Sequence, residues 1–408
     1  MSGAVLITGA RALTLSIGDR PRRGAAMDDL APIDDASVLI EDGRIARVEA
    51  GPIDAPGADR VDARGRVLLP GLIDAHTHLC WAGDRLDEWS ARLRGSSYSG
   101  QLGSGGGIMS TVRAVRAASI DELTDALCAR LAVVLAEGTT AIEIKSGYGL
   151  TARDELKMLD AIDAAGARWP GRIVPTACIG HAKDPDDTDP VGRTIGEVLP
   201  AITERYPGVV IDAYVERGAW SVAEAVRLFE AAAEAGHPIR VHADQFTEMG
   251  MIDAAIALGA RSIDHLEASS SASLGRLARS RTMGVMLPCS GFHLDGRFAD
   301  GRAFVDSGGA LAIATFANPG SAPCLSVPMA VAPAVRRLGL TPAEAIAACT
   351  VNAAHLLGLP DAGVIEPGAR ADLVLLRHTD ERELAHEFGG RHADAVWCGG
   401  RRVGDPAV

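Results

Sequence analysis

Gly71-Leu72-Ile73-Asp74-Ala75-His76-Thr77-His78 follows the apolar run Val67-Leu68-Leu69, and the reading of this stretch decides the fold. The run reads as a buried strand over residues 67–75, with the two histidines where it ends. Side chains alternate faces along a strand, so His76 and His78 point the same way. Two imidazoles on one side of a strand end can hold one metal ion. The plain alternative is a pair of solvated or core-satisfied histidines; the His-x-His spacing at the mouth of an apolar strand favours the ion.

Outward from this strand the chain alternates. Further strands are expected at 139–145, 172–177, 209–215, 238–241, 262–264, 284–287 and 310–315. Helical segments lie between most of them, and three start on capping boxes: Ser119 with Glu122, Ser221 with Glu224, and Thr341-Pro342 with Glu344. Eight strands with intervening helices over about 250 residues match a (β/α)8 TIM barrel. A doubly wound open sheet is the alternative, but no Gly-x-Gly-x-x-Gly follows the first strand. Both ends read as short strands and hairpins, with Asp42-Gly43 and Gly399-Gly400 at turns. The expectation is an α/β chain: a barrel over 69–364 plus a small β-sandwich domain composed of 1–68 and 365–408.

Composition narrows the class. The chain has 408 residues, 47% hydrophobic and 23% charged, a globular balance. A formal net charge of −13 argues against nucleic acid or an anionic membrane as partner and leaves a small molecule. Seven scattered cysteines without a Cys-x-x-Cys pair read as reduced thiols. No signal-like segment and no run long enough to span a bilayer is visible, so a cytoplasmic protein is expected.

Catalytic groups of such barrels sit at the C-terminal ends of the strands. There the sequence places His76 and His78 after strand one, Lys145-Ser146-Gly147-Tyr148-Gly149 after strand two and His181 after strand three. His242 in His242-Ala243-Asp244-Gln245 ends strand five, and His265 in Asp264-His265-Leu266-Glu267 ends strand six. Five of 11 histidines thus share one rim, which scatter would not produce. His237 lies at the opposite end of its strand and reads as structural.

These pieces, with Ala82-Gly83-Asp84-Arg85, Gly105-Gly106-Gly107-Ile108 and Asn318-Pro319-Gly320, make the chain resemble the amidohydrolase superfamily and, within it, the imidazolonepropionase family. The resemblance covers nearly the whole chain. It implies that His76, His78 and His242 hold one divalent ion, zinc or iron. It implies that His265 orients the attacking water or moves its proton, and that Gln245 sits on the ring edge; these two are the candidate catalytic residues. Arg85 and Tyr148 would hold a propionate carboxylate, a task for which the guanidinium fork is suited. His181 would contact the ring carbonyl or carboxylate. The implied reaction opens 4-imidazolone-5-propanoate to N-formimidoyl-L-glutamate, and the implied assembly is a homodimer.

One position departs. The family pattern has an aspartate two residues before Asn-Pro-Gly, which binds the metal and takes a proton from water. This chain reads Ala314-Thr315-Phe316-Ala317-Asn318-Pro319-Gly320. Phenylalanine can do neither. Three histidines still suffice for a metal with an open position, while a lost general base commonly costs about 10²–10⁴ in rate. His265 taking the proton is one outcome. A different reaction on the same scaffold (deaminase, lyase or isomerase of a heterocyclic acid) is another, and a non-catalytic ligand binder a third. Among weaker signals, Gly103-Ser104-Gly105-Gly106-Gly107 reads as a loop over the site rather than a phosphate cradle. Asp84, Asp87 and Glu88 read as solvated partners of Arg85 and Arg92. His293 reads as a loop residue, Glu216 as structural, and Asp264 as packing behind the site.

Overall fold

The computed structural model describes residues 3–95 and 107–403, so the expected glycine-rich loop before Gly107 lies outside the described residues. The chain opens with β1 (Val5–Leu13), β2 (Pro32–Glu41), β3 (Arg44–Ala50), β4 (Asp59–Asp62) and β5 (Val67–Pro70). The middle supplies β6 (Leu72–Asp74), β7 (Thr139–Lys145), β8 (Arg172–Gly180), β9 (Val210–Val215), β10 (Ile239–Ala243), β11 (Ser262–His265), β12 (Met283–Met286) and β13 (Leu311–Ile313). β14 (Leu373–Leu376), β15 (Ala393–Cys398) and β16 (Arg401–Val403) complete it.

The strand expected over 67–75 is in fact two. Val67–Pro70 pairs with β1 and β14 in a mixed sheet built from both chain ends. Leu72–Asp74 pairs with β7 in the barrel. Unbroken apolarity hid the break, because both pieces are fully buried. Gly71 makes it: a Cβ there would collide with the side chain of Thr140. His76 and His78 therefore follow the barrel strand in a short loop rather than ending a long strand.

β6 to β13 run in sequence order as eight parallel neighbours. The last seam is stitched outside the ladder. The Asp74 carboxylate accepts from Thr315 N at 3.1 Å and from Thr315 Oγ1 at 2.5 Å. Phe316 N donates to the His76 carbonyl at 3.1 Å, and His78 N to that of Ala317 at 2.9 Å. The first and eighth strand ends are thereby held together, which sets Phe316 beside the two histidines.

Helices pack around the barrel, and the three expected capping boxes are present. Alternation on β7 shows why both layers form. Ile142 and Ile144 join one apolar cluster with Leu127, Leu131, Met158 and Ile162, each burial contributing about 1.5–3 kcal/mol. Glu143 and Lys145 take the opposite face and enter the barrel. Among the described residues no helix is long and apolar enough to cross a membrane.

Candidate metal centre and active site

His76, His78 and His242 converge: each offers a ring nitrogen, and these atoms lie within 4.8 Å of one another. All three rings are buried. Nδ1 of His76 is bonded to Asp264 at 2.6 Å and Nδ1 of His242 to Asp212 at 3.0 Å. Those bonds direct both Nε2 atoms inward, and His76 Nε2 has no hydrogen-bond partner. His78 Nε2 faces His242 Nε2 at 3.1 Å. Two imidazole nitrogens bound to one tetrahedral zinc at 2.0–2.1 Å stand about 3.3 Å apart. Burial holds His76 and His78 well below the usual histidine range and lowers His242. The rings are neutral, as metal ligands must be. Orphaned nitrogen, spacing and protonation all fit a divalent ion.

Beneath the rings lies a buried layer of charge. Strand register creates it: Arg240 pairs with Asp212, and His242 stands opposite Tyr214 and Asp264. Arg240 donates to Glu143 and to Asp264, both at 2.6 Å. Lys145 donates to Glu143 at 2.9 Å and to Asp212 at 2.7 Å. Thr176 Oγ1 adds a bond to Glu143 at 2.5 Å. None of these five charged groups is more than 1% exposed. Burial alone would raise the Asp212 carboxyl, but His242 and Lys145 override it and hold it well below the usual range. Three carboxylates face two cations, and the excess negative charge under three neutral imidazoles favours a cation at the rings.

Further groups ring this centre. His181 stacks on His78 with ring centroids 4.5 Å apart and bonds the Gly147 carbonyl through Nδ1 at 3.0 Å. Burial and the neighbouring His242 push it down to about 3. That contact requires glycine at 147: φ is +116°, and a Cβ would lie 2.9 Å from His181 Nδ1. Glu155 shapes the same loop, accepting the N–H groups of Gly147, Gly149 and Leu150. Tyr148 is buried, 5.2 Å from His181 and 6.0 Å from His78 between ring centroids. Gln245 accepts from the Tyr214 hydroxyl at 2.9 Å. His265 bonds Glu267 through Nδ1 at 3.1 Å, leaving its buried Nε2 without a partner.

Phe316 sits 4.7 Å from His265, 5.3 Å from His76 and 5.6 Å from His78 between ring centroids. It covers the metal-proximal face and brings no ligand atom. Its φ is +59°, a left-handed conformation that Asp and Asn adopt more readily than Phe.

The structure thus brings together the rings of His76, His78, His242, His265, His181 and Tyr148. Arg85 is also buried, but its guanidinium lies against the strand-eight turn, where a Cβ on Gly320 would be 3.0 Å away. Its partner is Glu88, which also accepts from Gly107 N at 3.1 Å and Ser110 Oγ at 3.0 Å. That pair was expected to be solvated; it is a mostly enclosed junction, because the helix starting at Ile108 packs over it. His293, expected on a loop, instead ends a short helix over Pro288–His293, beside Arg92, and His237 is structural, bonded to Val209 and Thr203. Sequence reading missed Glu143, Tyr214, Arg240 and Asp212 as parts of the centre, and gave Lys145, at the start of its rim segment, no role. The available signal was polar residues at every second position in Glu143-x-Lys145, Asp212-x-Tyr214, Arg240-x-His242 and Ser262-x-Asp264.

A parallel eight-stranded barrel with a three-histidine centre at its C-terminal mouth defines the class: the chain belongs to the amidohydrolase family, whose model matches residues 67–403. Within that class its place is among the imidazolonepropionases. It is 43% identical to the imidazolonepropionase of Deinococcus radiodurans, over 94% of this chain and 96% of that one. It is 42% identical to that of Rubrobacter xylanophilus, over 97% and 98%. Among solved structures, 5-methylcytosine deaminase from Klebsiella pneumoniae superposes with a TM-score of 0.75 at 15% identity, covering 99% and 98% of the two chains. A triazine hydrolase variant does so with 0.74 at 20%, covering 98% and 94%. These last two share the fold.

Proposed function

We propose that this chain opens the ring of 4-imidazolone-5-propanoate by hydrolysis, giving N-formimidoyl-L-glutamate. Water adds to the ring carbonyl carbon, the bond from that carbon to the adjacent ring nitrogen breaks, the carbonyl becomes a carboxylate, and the departing nitrogen takes a proton. The observation that carries the reading is the convergence of His76, His78 and His242, backed by Asp264 and Asp212, in a chain about 40% identical to imidazolonepropionases.

His76, His78 and His242 would hold one zinc or iron ion, which supplies Lewis acidity and a water acidified toward neutral pH. His265, with Nδ1 held by Glu267 and Nε2 free, is the group placed to move the proton. Tyr148, Gln245 and His181 line the ring, and Arg85 pairs with the propionate once that carboxylate competes with Glu88. Phe316 shields the centre from bulk water and leaves proton transfer to His265. The separation into an end unit (1–68 with 365–408) and a barrel (69–364), a homodimer and a cytoplasmic location belong to the same proposal. Metal analysis with a ring-opening assay tests it. One ion per chain with turnover is expected, and turnover should fall at least about 100-fold in His265→Ala, the lower bound of the range for a lost proton-transfer group. Full occupancy without turnover refutes it.

A further inference from the structure

At the other end of the barrel, away from the metal centre, lies a cavity of about 780 Å³ lined by Arg261, Arg279, Arg281, His355, Met283 and Leu356, among others. It opens where β11 and β12 begin, so the strand length separates it from His265 at the end of β11. No carboxylate lines it. Among the described residues the side chains of the three arginines and His355 form no hydrogen bond and no ion pair, although the whole chain carries a net charge of −13. Other arginines are bonded; Arg302, for example, holds Glu344.

Helix termini do not explain the cluster. Three helices end here, at Ala257, Ala278 and Leu356. Each end carries roughly half a negative charge, so together they offset about half of three guanidinium charges. Capping does not explain it either. Arg23, not Arg279 or Arg281, donates to the carbonyls of Ala278 and Ser280 at 2.6 and 2.8 Å. The cations act on one another instead: burial and Arg240 lower Arg261, and burial and Arg261 lower His355, with no carboxylate opposing either shift. Met283 and Leu356 add an apolar wall inside the charged mouth.

We propose that this cavity is a binding site for a small organic oxyanion, a molecule with a phosphate or paired carboxylates on an apolar body. Arginine is the residue suited to such groups, because its planar fork meets two oxygens at once. The volume is that of a small-ligand site rather than a macromolecular footprint.

Adenosine 5′-monophosphate and succinate are titrated separately into the full chain by calorimetry at low ionic strength. Saturable binding of one equivalent is expected from at least one probe; the nucleotide alone identifies phosphate as the recognised group, succinate alone identifies the dicarboxylate. Arg279→Glu and Arg281→Glu each weaken binding about tenfold or more, whereas Arg227→Glu, on an exposed helix elsewhere, leaves it unchanged. All three positions are exposed, and the unliganded unfolding temperature checks that each variant folds. Absence of saturable binding by both probes overturns the proposal. So does an equal loss in all three variants, which would make the attraction a property of overall charge.

Discussion

Replacing Phe316 by aspartate puts an acid back where the chain lacks one. The Phe316 ring is 6% exposed and touches the rings of His265, His76 and His78. Truncating such a side chain costs about 3–5 kcal/mol. The backbone at φ +59° returns part of this, since Asp is at home in the left-handed region where other side chains pay about 1–2 kcal/mol. Metal-free Phe316→Asp is therefore less stable by about 1–4 kcal/mol. With the ion bound the sign changes, because the new carboxylate adds a ligand and a base. Recovering a general base is worth about 10²–10⁴ in rate, or about 3–5 kcal/mol of barrier. Ring opening is followed by the loss of the heterocycle's ultraviolet absorbance, with metal content measured on the same samples. Phe316→Asn is the control: it has the size and backbone preference of Asp but cannot take the proton. Faster turnover in the Asp variant and not in the Asn variant is expected. Equal rates in the two, with full metal content, would refute the assignment of position 316 as a base site.

Other perturbations read out the layer below. Asp264→Asn removes the carboxylate that orients His76 and should weaken metal binding about 10–100-fold, measured by competition with a chelator; unchanged affinity would mean His76 is not a ligand. Arg240→Met leaves Glu143 and Asp264 buried with one cation fewer, and should cost about 3–5 kcal/mol in urea unfolding. In metal-stripped protein, burial keeps His76, His78 and His181 neutral while the unfolded chain takes up protons near pH 6.5. Stability is then complete above that pH and falls below it, by about 1.4 kcal/mol per histidine over the first pH unit; a flat profile between pH 7 and 5.5 contradicts the reading. Loading the metal should raise the unfolding temperature and, by adding binding free energy, lower the pH at which acid unfolds the chain, while the decline still begins where the unfolded histidines titrate.

The sequence alone determined the order of strands and helices and picked out the three histidines that converge, because both are written in local pattern. Apolar runs of strand length alternate with capped amphipathic helices, and His-x-His stands at a strand mouth. It also marked Phe316 as a departure from the expected pattern, read from the register of the Asn318-Pro319-Gly320 turn. Tertiary structure decided what local pattern cannot carry. The division of residues 67–75 between two sheets depends on partners distant in the chain, at Arg11 and Ala12 on one side and at Thr139 and Leu373 on the other. The charged layer of Glu143, Lys145, Asp212, Arg240 and Asp264 exists only because five inward-facing side chains from four strands meet on closure of the barrel. Each alone reads as a polar interruption of a strand. Together they hold the histidines, because buried charges are tolerated only in mutual contact, and contact is a property of the fold.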